Sequence, residues 1–243
     1  MTGIVRWTLS AMLYLWGGLW GLLLVLLFII AAVLFPPGSY ERIIRWGSRT
    51  FLMLIGIRIR VEGLEHVPSS PAVFMSNHVN LFDVFVLAAA IPGFKRGVEA
   101  AEHFQWPVWG PMIRRAGNIP IERGDLSAAR KSLAAAAEAA GEGMSIVILP
   151  EGHRTRDGAL GKFKKGPFHM AKAADVPVVP AGLNGMWEIK QYGNPHWRPG
   201  KVTVRFGPPI AVGTIRSLSV EQLRDLTRRS IGKLIDYGEK TRR

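Results

Sequence analysis

The sequence predicts an α/β domain with a mixed, partly parallel sheet flanked by helices, preceded by an N-terminal two-helix membrane-anchoring segment. Three observations predict it. A run from Trp7 to Phe35, WTLSAMLYLWGGLWGLLLVLLFIIAAVLF, contains no charged residue. After about residue 57, short apolar runs bounded by turn residues alternate with helical periodicity, the pattern of strand–helix–strand units. Polar clusters fall where four of those apolar runs end, at the edge of the sheet where ligands gather in such folds. The expected division is residues 1–57 for the membrane-associated segment and 58–243 for the α/β domain with its C-terminal helix.

Taken in order, the Trp7–Phe35 run would form a helix roughly 43 Å long at about 1.5 Å per residue, against a hydrocarbon core of about 30 Å. A secretory signal would have a shorter apolar core and a small-residue cleavage site, and neither is evident. Pro36-Pro37-Gly38 is expected to break the helix. From Tyr40 to Ile57, Ile43, Ile44, Trp46, Phe51, Leu52 and Leu54 alternate with Arg42, Arg45 and Arg49. That predicts an amphipathic helix at the membrane interface with its arginines toward anionic headgroups. Two dispositions are open: one helix spans while the second lies flat, or the two form a hairpin dipping into one leaflet. Positive charge is denser after the apolar run than before it, where Arg6 stands by itself. The body is therefore expected on the cytoplasmic face of the inner (plasma) membrane.

In the remainder, predicted strands are Ile57–Val61, Ala72–Ser76, Arg96–Ala100, Asn118–Glu122, Ser145–Leu149, Val178–Leu183 and Val202–Phe206. Predicted helices are Asp83–Ala90, Leu126–Ala140 stopped by Gly141, Pro167–Ala174 with proline in its first turn, and Val220–Tyr237. NH then follows one strand, ERG a second, PEGHRT a third and NG a fourth, so that the four clusters could line one cleft.

Charge and composition narrow the chemistry. The 31 Lys+Arg against 18 Asp+Glu give a net charge of +13, which calls for an anionic partner: a membrane surface, a phosphorylated substrate, an acidic carrier protein or nucleic acid. The absence of cysteine excludes a thiol nucleophile, a disulfide framework and Cys-based metal sites.

His78 precedes Asp83 by five residues. Five residues turn an ideal helix by about 500°, so the two side chains meet only if His78 lies in the turn before the helix and Asp83 in its first turn. Asp83 would then hold one ring nitrogen and leave the other free as a base. A capping aspartate beside an incidental histidine fits the same spacing. No G-x-S-x-G elbow is present, since GMSIV lacks the second glycine. A base without an enzyme nucleophile implies that the attacking group, such as an alcohol, belongs to the substrate. In LPEGHRTRDGALGKFKKGPFHMAK, Glu151, Arg154, Arg156, Lys162, Lys164 and Lys165 are interrupted by glycines and end at the helix opened by Gly166-Pro167. Glycines, guanidinium groups and a helix N-terminus together suit a bound phosphate; a solvated charged loop is the plain alternative.

These blocks together resemble the membrane-bound glycerolipid acyltransferases with the N-H-x4-D motif, most of all the 1-acylglycerol-3-phosphate O-acyltransferases. The first block is NHVNLFD, with Asn77, His78 and Asp83. The second is GNIPIERG, with Gly117 and Arg123. The third is LPEGHRT, with Glu151, Gly152 and Arg154, followed by FKKG with Lys164. The fourth is VPVVP, Val176 to Pro180. The resemblance covers roughly residues 60 to 210, and the N-terminal segment looks like the family's anchor.

It implies transfer of an acyl chain from acyl-CoA or acyl-carrier protein to the free sn-2 hydroxyl of 1-acylglycerol-3-phosphate (lysophosphatidate), forming phosphatidic acid in phospholipid biosynthesis. His78 would be general base and Asp83 its orienting partner, with main-chain N–H groups meeting the oxyanion. Asn77, Arg123, Glu151, Gly152, Arg154 and Lys164 would bind substrate, and the fourth block would shape a pocket. Neither a metal nor a cofactor is implied beyond the thioester donor. The expected partners are membrane lipids, the anionic bilayer surface and that donor, with no nucleic acid.

The sequence departs from the family at Leu149, where phenylalanine is usual, and at His153, where threonine is. It departs again at Ala101, where relatives carry a lysine that Lys95 or Arg96 would have to replace. Another acceptor in the same chemistry (lyso-ornithine lipid, another lysophospholipid or a glycolipid) is the nearest alternative. A metal-dependent hydrolase using His78, Asp83, Glu151 and His153 lacks compact ligand spacing. A non-enzymatic, membrane-tethered binder of nucleic acid or anionic lipid leaves the strand-end placement of the polar clusters unexplained.

Overall fold

The computed structural model describes residues 3–35, 40–93, 95–122 and 124–236. Its elements are α1 (Gly3–Leu34), α2 (Glu41–Leu54), β1 (Ile57–Glu62), β2 (Val73–Ser76), α3 (Asp83–Ala90), β3 (Lys95–Ala100), α4 (Trp109–Arg115), β4 (Ile119–Ile121), α5 (Leu126–Gly141), β5 (Ser145–Ile148), α6 (Gly166–Ala174), β6 (Val178–Asn184), α7 (Met186–Ile189), β7 (Gly200–Phe206), α8 (Val212–Ser217) and α9 (Val220–Leu234). Among the described residues the sheet has seven strands in the order β1-β7-β6-β2-β5-β3-β4. All neighbours run parallel except β6 and β7. β7 and β1 therefore run opposite to the other five strands, and the sheet is mixed and mostly parallel, as the alternation of elements predicts.

Alternation along the central strands divides two cores. On one side Phe74, Val179, Ala181 and Leu183 pack with α2, α3 and Trp197. On the other, Val73, Met75, Ile146, Ile148 and Val178 pack with α5, α6 and α9. β2 and β6 are buried along their whole lengths, as parallel central strands require. Within the fourth block Val178 and Val179 point to opposite cores and the Pro180 carbonyl accepts the Gly207 N–H, so much of that block is sheet interior.

The structure corrects several boundaries. The α5 helix continues through Gly141 and stops at Gly143, whose φ of +100° suits glycine. The α9 helix ends at Leu234, and the far end of the predicted helix, Tyr237, lies outside the described residues, as does the Pro36-Pro37-Gly38 break. The sequence reading misses α4, α7 and α8, which are too short for periodicity to register; α4 also contains Pro111 in its first turn.

At the N-terminus α1 runs 32 residues, about 48 Å. Its Trp7–Ala31 stretch is long and apolar enough to cross a membrane, and 11% of its most apolar window is buried, which is unlike a core helix. One stripe touches the body. Ser10, Tyr14, Gly17, Gly21, Leu24, Phe28 and Ala31 recur at alternating spacings of four and three, the period of a helix-packing seam. Ser10 Oγ meets His196 Nδ1 at 3.3 Å, and the Tyr14 hydroxyl donates to Pro195 O at 3.0 Å. At Gly17 an added Cβ would stand 3.0 Å from Ile55 and 3.3 Å from the Trp197 ring; at Gly21 it would meet Phe51. Phe28 packs edge-on against Tyr40. The two glycines form a small-xxx-small pair, which a reading for membrane-helix packing would have found. The opposite face, including Leu15, Leu19, Leu26 and Ile30, is exposed.

Here α2 differs from expectation. Its Phe51 and Leu52 are buried in the core beside α3, and Arg45 Nε donates to Ala89 O (3.3 Å) at the end of α3. Arg42, Ile43, Trp46, Arg49 and Met53 face outward. The helix thus spends its most regular apolar stripe on protein and offers a mixed face to the surroundings. At its start Glu41 forms an ion pair with Lys95 of β3, the two side chains 11% and 6% exposed. Lys95 is therefore committed to the anchor, and the sequence-level idea that it replaces the lysine missing at Ala101 is corrected. Burial pushes the Lys95 ammonium down against the pull of Glu41, and pushes the Glu41 carboxyl up.

Lys95→Met leaves Glu41 buried without its cation and is expected to cost about 3 kcal/mol. This is read as a lower unfolding midpoint in detergent, with most of the loss recovered in the Glu41→Leu/Lys95→Met double variant.

Candidate active site

The turn from Asn77 to Phe82 leaves the buried end of β2 and enters α3 at Asp83. The Asp83 carboxylate folds back over it, its residue fully buried. Its Oδ2 accepts from His78 Nδ1 at 2.8 Å, from the Val79 N–H at 2.6 Å and from the Asn80 N–H at 3.0 Å. With two backbone N–H groups already on Oδ2, the geometry suits the ring tautomer that carries its hydrogen on Nδ1 and leaves the Nε2 lone pair unused. The His78 side chain is 18% exposed, so the free nitrogen is reachable from outside a turn that is otherwise closed. The spacing argument is met: His78 lies in the turn and Asp83 in the first helical turn.

Two further elements clamp the histidine backbone. Glu151, just beyond the end of β5, accepts the His78 N–H on Oε1 and the Gly161 N–H on Oε2, both at 2.8 Å. The Thr155 N–H donates to His78 O at 2.8 Å. Glu151 is 1% exposed, and burial raises its carboxyl above the ordinary 4.5 against the pull of those N–H groups and of the neighbouring histidines. A Cβ at Gly161 would lie 2.6 Å from Oε2, so this close approach requires glycine. From α9, Arg228 donates to Leu160 O (3.0 Å) and Gly161 O (3.1 Å), holding the same segment from outside.

Strand order explains why these parts meet. β2 sits between β6 and β5, so the NH and PEG turns leave adjacent strands on one edge.

The model of the family described as Acyltransferase matches residues 58–184, more than half of the chain. The chain belongs to the acyltransferase family.

Among its relatives, the 1-acyl-sn-glycerol-3-phosphate acyltransferase of Limnanthes douglasii is 34% identical over 199 residues, covering 79% of this chain and 67% of the plant protein. The protein of the same description from Pseudomonas aeruginosa is 30% identical over 203 residues, covering 83% and 77%. The crystal structure of the 1-acyl-sn-glycerophosphate acyltransferase PlsC from Thermotoga maritima shares the fold, with a TM-score of 0.81 over 96% of this chain and 95% of that one at 21% identity.

Within this acyltransferase several sequence-predicted residues take other positions. Asn77 is turned into the sheet, its amide accepting the Leu183 N–H (2.8 Å) and donating to Leu183 O (3.1 Å). Glu151 likewise spends both oxygens on backbone N–H groups and is buried. Gly152 has φ +73° and its N–H donates to Leu149 O, so it shapes the turn and that N–H is engaged. Lys165 is paired with Glu221 on α9, whereas Lys164 and Arg154 are exposed beside the turn. His153 is exposed, its ring directed at the Arg154 carbonyl. Arg123 lies outside the described residues. In the fourth cluster Asn184 is bound to Leu234 O and Asp236 N, away from His78.

Sequence reasoning missed Asn80, whose amide donates to Met186 O (2.8 Å) and Lys190 O (3.1 Å) while its oxygen accepts the Phe82 N–H (2.9 Å). The second asparagine inside NHVNLFD was the signal available.

Gly161→Ala is expected to keep the fold, as judged by circular dichroism, and to lower turnover roughly 10- to 100-fold by displacing Glu151. Folding favours the protonated form of Glu151, so that contribution to stability is full below pH 4.5 and is lost as pH rises through the raised value. Glu151→Gln removes this loss, and the unfolding midpoint of the variant is expected to fall less than that of wild type as pH climbs from 4.5 toward neutrality.

Proposed function

We propose that this acyltransferase moves an acyl chain from acyl-CoA or acyl-carrier protein to the sn-2 hydroxyl of 1-acylglycerol-3-phosphate. The product, phosphatidic acid, is a precursor of membrane phospholipids. The observation that carries the reading is the His78–Asp83 hydrogen bond of 2.8 Å, which orients a free Nε2 at the mouth of the site. The names of the plant and bacterial relatives support the acceptor.

In the proposed reaction Nε2 takes the hydroxyl proton as the lipid oxygen attacks the thioester carbonyl. The tetrahedral intermediate then collapses, the C–S bond breaks, and the imidazolium returns the proton to the departing thiolate. No acyl-enzyme forms, in keeping with the absence of cysteine and of a nucleophile elbow. Arg154 and Lys164 beside the turn are proposed to meet the glycerol phosphate.

The membrane helix supports a lipid acceptor. α1 is seated on the body from Ser10 to Ala31, about 32 Å of its length, so it does not project from the body as a stalk. We propose that α1 and α2 enter one leaflet of the membrane from its cytoplasmic face, where the dense positive charge after α1 belongs.

A second reading has one observation in its favour. With Ala101 in place of lysine and Lys95 committed to Glu41, Arg96 is the one expected substitute left, and a site that Arg96 does not complete would take another lysolipid.

His78→Ala is expected to lower transfer roughly 10²- to 10⁴-fold while membrane association is retained; wild-type turnover in the variant would defeat the mechanism. A panel of lysolipids given one acyl donor decides the acceptor, with lysophosphatidate expected to turn over fastest.

A further inference from the structure

Next to the proposed phosphate-binding arginine the structure places a group that no motif predicts. The ring of Tyr192, in the segment between α7 and β7, has the Arg154 guanidinium 5.1 Å from its centroid and that of Arg156 at 5.8 Å. Both lie within reach of the ring's quadrupole. Among the described residues neither arginine has a carboxylate in ion-pair distance. Asp157, the acid next to Arg156 in sequence, is turned to its own loop, where Oδ1 accepts from the Thr155 hydroxyl (3.0 Å) and the Ala159 N–H (2.9 Å). Lys190, whose ammonium donates to the Asn194 and Gln191 carbonyls, stands on the same segment, and burial and then the charge of Arg154 push it down. Two guanidinium groups over one ring repel one another, and an aromatic face is a weak compensation. The arrangement is suited to an anion that arrives from outside.

The segment carrying Tyr192 is fixed on both sides. The Trp187 ring lies under Gly158, whose added Cβ would stand 3.1 Å from it, so the segment is packed against the arginine-bearing loop. Asn80 of the catalytic turn donates to Met186 O and Lys190 O. The aromatic brace and the histidine turn are therefore held by the same short stretch of chain.

We infer that Tyr192 is a positioning residue for the acceptor headgroup: its ring gathers Arg154 and Arg156 into a pair matched to a dianionic phosphomonoester. Such a phosphate carries about −1.5 to −2 charges near neutral pH. A phosphodiester carries a single negative charge, and a quaternary ammonium head would be repelled from a ring already covered by guanidinium groups. The role of Tyr192 is thus to discriminate lysophosphatidate from lysolipids with a larger, esterified headgroup. This rests on the reading that Arg154 meets the glycerol phosphate.

The test is steady-state kinetics of the detergent-solubilised full chain with Tyr192→Leu, Tyr192→Phe and Arg154→Ala. Tyr192 is 46% exposed, so its replacement empties no core. Tyr192→Leu is expected to raise KM for lysophosphatidate about tenfold, with kcat and KM for the acyl donor unchanged. It should also narrow the preference for lysophosphatidate over lysophosphatidylcholine. Tyr192→Phe should restore wild-type values, because the ring face acts and not the hydroxyl. An unchanged KM in Tyr192→Leu together with a raised one in Arg154→Ala overturns the inference and leaves the phosphate reading standing. A fall in kcat at constant KM also overturns it, since the ring would then support the catalytic turn instead. An unchanged KM in Arg154→Ala overturns the phosphate reading on which the inference rests.

Discussion

Oδ2 of Asp83 accepts the His78 ring N–H and the backbone N–H groups of Val79 and Asn80, and the geometry of the turn from Asn77 to Phe82 follows from that convergence. Charge-assisted hydrogen bonds of this kind contribute about 1.5–3 kcal/mol each. Three on one buried oxygen leave the turn a single stable course from the end of β2 into α3. The same carboxylate therefore folds the loop and selects the ring tautomer. Glu151 and Thr155 then hold the His78 peptide units from β5 and the loop beyond it, and Arg228 holds the Gly161 side of that loop. The site is built inward from the backbone, with one imidazole nitrogen left for chemistry.

The membrane segment is less separate from this machinery than its composition suggests. Trp197, buried at 3%, packs edge-on against Tyr14 of α1 at 5.2 Å and against Phe82 at 4.7 Å. Phe82 is the residue before Asp83. One indole thus bridges the apolar helix α1 and the first turn of α3, and Phe51 of α2 adds a second aromatic contact to Phe82. The apolar core continues across residue 57 without interruption, through Leu52, Ile55 and Ile57.

The net charge of +13 divides by role. Lys95, Lys165, Arg205 and Arg216 are bound to acids of their own chain. Arg42 and Arg49 face outward beside Trp46 on α2, as an interfacial helix requires. Arg154 and Arg156 lie over the Tyr192 ring without an acid in ion-pair distance among the described residues. Excess charge read from composition pointed to an anionic partner, and the fold divides that excess into structural pairs and outward-facing groups.

Elements that depend on local periodicity were legible in the chain: the apolar helix, the seven strands and the helix starting at Asp83. So was the chance that His78 and Asp83 meet, because five residues across a strand–turn–helix junction keep them within reach. Partners far apart in the chain were settled by the packing of the strands. Glu151 reaches the His78 backbone across 73 positions, Asn77 reaches Leu183 across 106, and Lys95 reaches Glu41 across 54. The family resemblance implied substrate contact for Glu151 and Asn77 but gave no sign of these backbone partners. With β2 between β6 and β5, buried N–H and C=O groups at the strand ends had to be satisfied, and these two side chains were the nearest to do it. Spacing along a chain encodes which residues share a face, whereas hydrogen-bond demand in a packed interior is known only once the strands have neighbours.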